Sequence, residues 1–172
     1  MRALVRFTLG LIAVLVALPA TAGEIGFLDA ERAVLSVQEG RSQLRALEEW
    51  ATPRRTQLEG LQAQVAELNQ RIAAQQATAS GETLAQLERE LVQAQRELED
   101  QARAFNRELP ARRDAMLADL SAKLMTVAAE YAQANGFDAI FLLGARAVAY
   151  YSKALDVTDA VIQLYDQRFP AS

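Results

Sequence analysis

The side chains of this chain that could do acid–base, nucleophilic or ligand chemistry reduce almost entirely to carboxylates and guanidinium groups. Of its 172 residues, 22 are Asp or Glu and 18 are Lys or Arg, with no histidine and no cysteine. The absence of histidine removes the commonest general base and the commonest metal ligand together. The absence of cysteine leaves neither thiol chemistry nor a disulfide. Carboxylates and lysine alone can run an enzyme, but no phosphate-cradling glycine loop and no metal-ligand cluster accompanies them here. The many acids read instead as a solvated helical surface. The expectation is a protein without catalytic, cofactor-binding or metal-binding residues.

The charges are unevenly placed. The segment from Arg41 to Arg113 balances arginines against acids, whereas Gly23–Gly40 and Asp114–Ser172 together carry an acidic excess of about six. A net charge of −4 argues against general nucleic-acid binding, because the phosphate backbone demands clustered Lys and Arg.

The first 22 residues have the organisation of a secretory signal peptide. Arg2 and Arg6 supply the positive start, Leu9–Leu18 is an apolar run, and Pro19 ends it. Ala20-Thr21-Ala22 gives a small-x-small pattern, so cleavage before Gly23 is expected. The run is too short to span a bilayer, which takes roughly twenty residues.

Two long apolar seams dominate the middle of the chain. The first runs through Val37, Gly40, Leu44, Leu47, Ala51, Arg54, Leu58, Leu61, Val65, Leu68 and Ile72. These alternating three- and four-residue steps are heptad spacing. Residues 77–82 are small and polar and predict a tip, with Gly81 available for a positive φ. The second seam takes Leu84, Leu87, Leu91, Ala94, Leu98, Gln101 and Phe105. It then slips to Leu109, Met116, Leu120, Leu124, Val127 and Tyr131 and ends near a left-handed cap at Asn135-Gly136. The result is an antiparallel helical hairpin with arms of about 45 residues, roughly 65–70 Å long.

Pro53 and Pro110 fall at nearly the same height on such a hairpin. Each deletes a backbone donor, so together they predict a flexible joint; alternatively, Thr52-Pro53 simply starts a new helix. Gly60 costs roughly 1 kcal/mol inside a helix. Trp50 and Phe105 are candidate partner contacts, although large residues on a heptad face more often belong to the core.

The flanks change period. Glu24–Asp29 suits a strand leading into the first arm, Phe137–Leu143 a second strand, and Val148–Tyr151 a third after a turn at Gly144–Arg146. Asp156-Val-Thr-Asp159 offers a helix cap, followed by a helix with Val161, Ile162, Leu164 and Tyr165. The expected fold is therefore α+β and predominantly α. Residues 41–113 form a helical hairpin inserted in a small body built from 23–40 and 114–172. About 75 residues with three strands make a marginal core. Uncovered strand edges would be closed by a barrel shared between identical subunits. Ile25, Phe27, Phe137, Ile140, Phe141, Leu142, Val148 and Tyr150 are the residues expected in those strands.

Asn135–Leu143, Ala147–Tyr151 and Asp156–Ile162 resemble the C-terminal signature of the Skp/OmpH family, and Ile25–Asp29 resembles that family's first strand. The resemblance spans essentially the whole chain after residue 22. It implies a jellyfish-shaped homotrimer with a β-barrel body and three helical tentacles enclosing a cavity. It also implies ATP-independent capture of unfolded outer-membrane proteins in the periplasm, with no catalytic residue, and leaves contact with a membrane surface open. The family's best-known members are strongly basic; this chain is acidic, which speaks against lipopolysaccharide as a ligand.

In such a trimer, Arg54, Arg55, Arg107, Arg112 and Arg113 could form a basic collar that attracts acidic clients. The competing expectation is that Glu48, Glu49, Glu59 and Glu108 pair with them as ordinary surface charge. A structural or adaptor coiled coil of the envelope is the second functional class. It would not need the strand-flanked body.

Overall fold

The computed structural model describes residues 23–144 and 148–171; the expected signal peptide lies outside them. The chain opens with a strand, β1 (Glu24–Leu28), and a short helix, α1 (Ala30–Ser36). Two long helices come next, α2 (Gln38–Gln75) and α3 (Gly81–Asn135). A second strand, β2 (Phe137–Leu142), leads through a 3-10 turn at Lys153–Leu155 to the last helix, α4 (Thr158–Arg168).

Capping chemistry sets most of these boundaries. Asp29 ends β1 and starts α1, its carboxylate accepting the Arg32 backbone N–H at 2.9 Å. Ser80 caps α3 by accepting from the Thr83 N–H at 3.2 Å. Gly136, at φ 75°, closes α3 in the left-handed conformation and donates to the Ala132 carbonyl, as Asn135-Gly136 predicts. The hairpin reversal differs from expectation. Gly81 is the first residue of α3 and not a positive-φ corner; Gln75 closes the turn by accepting from the Thr78 and Ala79 N–H groups.

The junction of α1 and α2 is a second departure. The first arm begins where its seam does, with Val37 as the cap of α2 at ψ 152°, but the short helix α1 ahead of it was not expected. The chain bends there, bringing the first turn of α2 hard against the end of α1. A Cβ at Gly40 would lie 2.0 Å from the Val34 carbonyl oxygen. Gly40 is therefore a close-approach glycine.

Strands β1 and β2 pair in parallel, with Gly26 opposite Ile140 and Leu28 opposite Leu142. Parallel neighbours need a long crossover, and the whole hairpin supplies it. The other edge of β1 is covered by Asp156 and Val157, whose N–H donates to the Phe27 carbonyl at 2.9 Å. Val148–Tyr151, expected as a third strand, lies in none. Val148, Tyr150 and Tyr151 have strong strand propensity, but propensity alone makes no strand without a paired neighbour. Tyr151 packs on Phe27 at 5.0 Å between ring centroids. The sheet is two-stranded and open.

Two separate apolar cores result. The larger holds Leu28, Val37, Leu120, Leu124, Val127, Val161 and Tyr165, all essentially inaccessible, where α1, the base of the arms and α4 meet the strands. The smaller joins the arms farther out through Leu68, Leu87 and Ala94, flanked by Val65, Ile72 and Leu91. Every one of these arm residues is a seam position, so the heptad spacing located the inter-arm face. Among the described residues no helix is long and apolar enough to cross a membrane.

Candidate functional site: the arm joint, the sheet face and the base of the arms

Between the two cores the apolar seam thins, with Leu58, Leu98 and Leu109 only half-buried. Only Ala51 is fully buried there, and the seam positions Arg54 and Gln101 are polar. Pro53 and Pro110 lie inside this stretch, both within unbroken helices. This corrects the alternative in which Pro53 begins a new helix, since α2 runs through it. Trp50 stacks on Phe105 across the arms, with ring centroids 6.0 Å apart and planes 8° from parallel. Pro53 is three residues tipward of Trp50, and Pro110 is five residues bodyward of Phe105. The prolines thus bracket the stack, about 12 Å apart along the hairpin at 1.5 Å per residue.

Two cations converge on the same indole. The guanidinium carbon of Arg54 lies 4.2 Å from the Trp50 ring centroid, and that of Arg112 lies 4.5 Å away. Arg54 also donates to the Trp50 backbone carbonyl at 2.8 Å. Beside the stack is a cleft of 360 Å³ lined by Trp50, Pro53, Arg54, Leu58, Phe105 and Glu108, among others. Trp50 and Phe105 are therefore inter-arm packing residues. The remaining arginines diverge. Arg55 pairs with Glu48 at 2.7 Å, and Arg112 also approaches Glu108 at 3.9 Å. Arg107 is exposed without a close carboxylate among the described residues, and Arg113 borders an apolar groove with Leu35, Leu44 and Met116.

The strand residues split into two groups. Phe137 and Ile140 pack against the larger core. Ile25, Phe141, Leu142 and Tyr150 stay exposed, Phe141 at 51% and Tyr150 at 85%. Phe27 is half-buried, 5.9 Å from Phe141, and Val148 is half-buried too. So many large apolar side chains at one open sheet are unusual on a soluble monomer.

A polar node at the base of the arms has no counterpart among the sequence expectations. Tyr165, fully buried on α4, donates its hydroxyl to Glu39 Oε2 at 2.7 Å. Lys123 of α3 donates to Glu39 Oε1 at 2.7 Å and lies 2.8 Å from Asp119. Asp166 accepts from the Gln38 N–H at 2.7 Å. A buried hydroxyl joins α4 to β1 nearby, where Thr158 Oγ1 accepts the Asp29 N–H at 2.9 Å. No local pattern in the sequence joins residues 126 positions apart.

Burial alone would raise the Glu39 carboxyl pKa, but hydrogen bonds from Lys123 and Tyr165 outweigh it and hold the group below its usual 4.5. Asp156 is likewise lowered: the Thr158 side-chain and backbone hydrogen bonds and the Arg32 charge overcome its burial. Burial and the neighbouring Glu39 push the Tyr165 hydroxyl pKa upward. A carboxyl group depressed in the folded state stabilises the fold above its unfolded pKa. That stabilisation is lost as pH falls through the folded value. Urea unfolding midpoints should therefore be flat from about pH 6 to 5 and fall steadily below about pH 4.5. Glu39→Gln should show a shallower fall, and an identical acid limb in wild type and variant would contradict this.

Together these features define a class: an α+β protein whose long helical hairpin is inserted into a small body with an exposed apolar sheet. The chain belongs to the OmpH-like outer membrane protein family, whose pattern matches residues 24–165. Its fold is similar to that of a crystal structure from Caulobacter crescentus CB15 described as a putative OmpH-like outer membrane chaperone. The TM-score is 0.73 at 20% identity, over 87% of this chain and 88% of the other. No curated protein matches the sequence.

Proposed function

We propose that this chain is an ATP-independent holding chaperone of the periplasm. It would bind unfolded outer-membrane proteins in a cavity between helical arms of a homotrimer and keep them from aggregating. Residues 1–22 serve as the export signal, removed near Ala22-Gly23. Residues 23–40 and 114–172 form the oligomerising body, and 41–113 form the arm with its tip near 77–82. Membership of the OmpH-like family supports this reading, as does the Caulobacter relative's description as a chaperone.

The observation that carries it is the open two-stranded sheet with Ile25, Phe141, Leu142 and Tyr150 exposed. An unpaired strand edge beside exposed aromatic and aliphatic side chains invites identical neighbours. Three copies would close the sheet into a barrel and point three arms the same way. Unfolded barrel proteins expose alternating apolar residues that pair and aggregate. A cage of arms would hold one such chain through many weak contacts and exclude others. Release follows from folding of the client into the membrane, without nucleotide.

The arginines near the prolines contribute to capture. Arg54, Arg107 and Arg113 have no close carboxylate among the described residues, and in a trimer they would add, with Arg55 and Arg112, to a basic belt around the arms. Replacing all five by glutamine should slow association with an acidic unfolded client and flatten its dependence on salt. Stopped-flow association measured across ionic strengths reads both effects. Unchanged kinetics would remove the belt from the mechanism. Native mass spectrometry of the mature protein tests the assembly: a trimer is expected, and a monomer at micromolar concentration would overturn it.

A further inference from the structure

We infer that the Trp50 cluster is a clasp that holds α2 and α3 together at the one level where the hairpin has no apolar core. The inference stands on this chain alone and does not depend on the chaperone reading. Four observations meet at this level. The two hydrophobic cores stop on either side of it, the larger at Met116 and the smaller at Ala94. The seam positions between them include the polar Arg54 and Gln101, and the leucines there, Leu58, Leu98 and Leu109, are only half-buried. Pro53 and Pro110 each remove one helical hydrogen bond within the same stretch. The side chains that bridge the arms there are Trp50, Phe105 and Arg112.

The bridge is chemically distinct from the rest of the seam. Elsewhere the arms meet through leucine, valine and alanine, an association that is non-directional and tolerant of sliding. At the clasp a guanidinium from α3 and one from α2 both sit over one indole, and that indole stacks on a phenyl ring from α3. Cation–π attraction is directional and falls away once the ring is displaced by a few ångströms. Such a joint has two states, closed and released.

Release would let the outer arm, with its own small core, bend against the body as a unit. The clasp therefore sets the stiffness of the arm.

Trp50 is the only tryptophan in the chain, so its fluorescence reports on the clasp directly. The test compares the full mature protein with Arg54→Gln/Arg112→Gln and with Arg54→Lys/Arg112→Lys. In the glutamine variant, amides of residues 46–58 and 101–113 should exchange about tenfold faster, the equivalent of losing one to two cation–π contacts. Acrylamide should quench Trp50 more strongly, while amides of residues 61–72 and 84–98 stay as in wild type. The lysine variant keeps both cations and should restore most of the protection. Unchanged exchange at the joint in the glutamine variant overturns the clasp. Equal loss of protection in the lysine and glutamine variants also overturns it, since that pattern would mean simple packing.

Discussion

Truncating Tyr165 to alanine should cost about 3–5 kcal/mol of folding stability, a large share of what a body this size can have. Its ring is fully buried at the centre of the larger core and packs 5.2 Å from Phe169. Its hydroxyl is one of three donors to Glu39, beside Lys123 and Gln43. Removing the ring leaves a cavity between α4 and the base of the arms and strips a half-buried carboxylate of a partner. Tyr165→Phe separates the two losses. It keeps the ring and should cost only about 1–2 kcal/mol, the loss of a hydrogen bond to a charged group. Urea titrations at one fixed protein concentration would measure both, since the proposed assembly would make stability depend on concentration. A loss below about 1 kcal/mol for Tyr165→Ala would mean that α4 is not the keystone of the body.

The second large effect is one of sign. Gly40 and Gly60 lie in the same helix, and by propensity alone alanine at either should stabilise it by about 1 kcal/mol. At Gly60 nothing lies within 4 Å of the added Cβ, so Gly60→Ala should follow that expectation. At Gly40 the added Cβ meets the Val34 carbonyl oxygen at 2.0 Å and Val37 Cγ2 at 3.2 Å. A backbone oxygen cannot rotate away as a side chain can. The α1–α2 bend would have to open, disturbing Val34 and Val37 in the core. Gly40→Ala should therefore destabilise by about 2–3 kcal/mol. Thermal or urea unfolding of both variants checks the pair, and a shift in the same direction for both would refute the close approach.

These two glycines also show where the sequence is informative and where it is not. The heptad spacing placed both arms, because burial along a long seam repeats a one-dimensional pattern, and Leu68, Leu87, Leu120 and Leu124 all lie where it puts them. Asn135-Gly136 marked the end of α3 because a left-handed cap is local chemistry. Gly40 reads as just another seam residue, since nothing in its neighbourhood announces that the chain bends at Val37. That bend is set by how α1 packs, a tertiary effect. Val148–Tyr151 shows the opposite error: it has strand-forming residues, yet it does not pair with the sheet. The node of Glu39, Lys123 and Tyr165 was invisible because its members are dispersed and individually ordinary.

The candidate site divides along the same line. Pro53, Pro110 and the five arginines were visible as residue types near one another in number. Their grouping was not: Arg54 and Arg112 meet on Trp50, while Arg55 turns to Glu48. Spacing along one helix says little about which side chains meet across two.

The most direct test of the holding role dilutes a urea-unfolded outer-membrane protein into buffer containing the purified mature protein and no nucleotide. Light scattering follows aggregation, and native mass spectrometry of the same mixture follows assembly. The account predicts that scattering stays near baseline and that the client is carried by a trimer. A protein that remains monomeric and leaves the client's aggregation unchanged would contradict it.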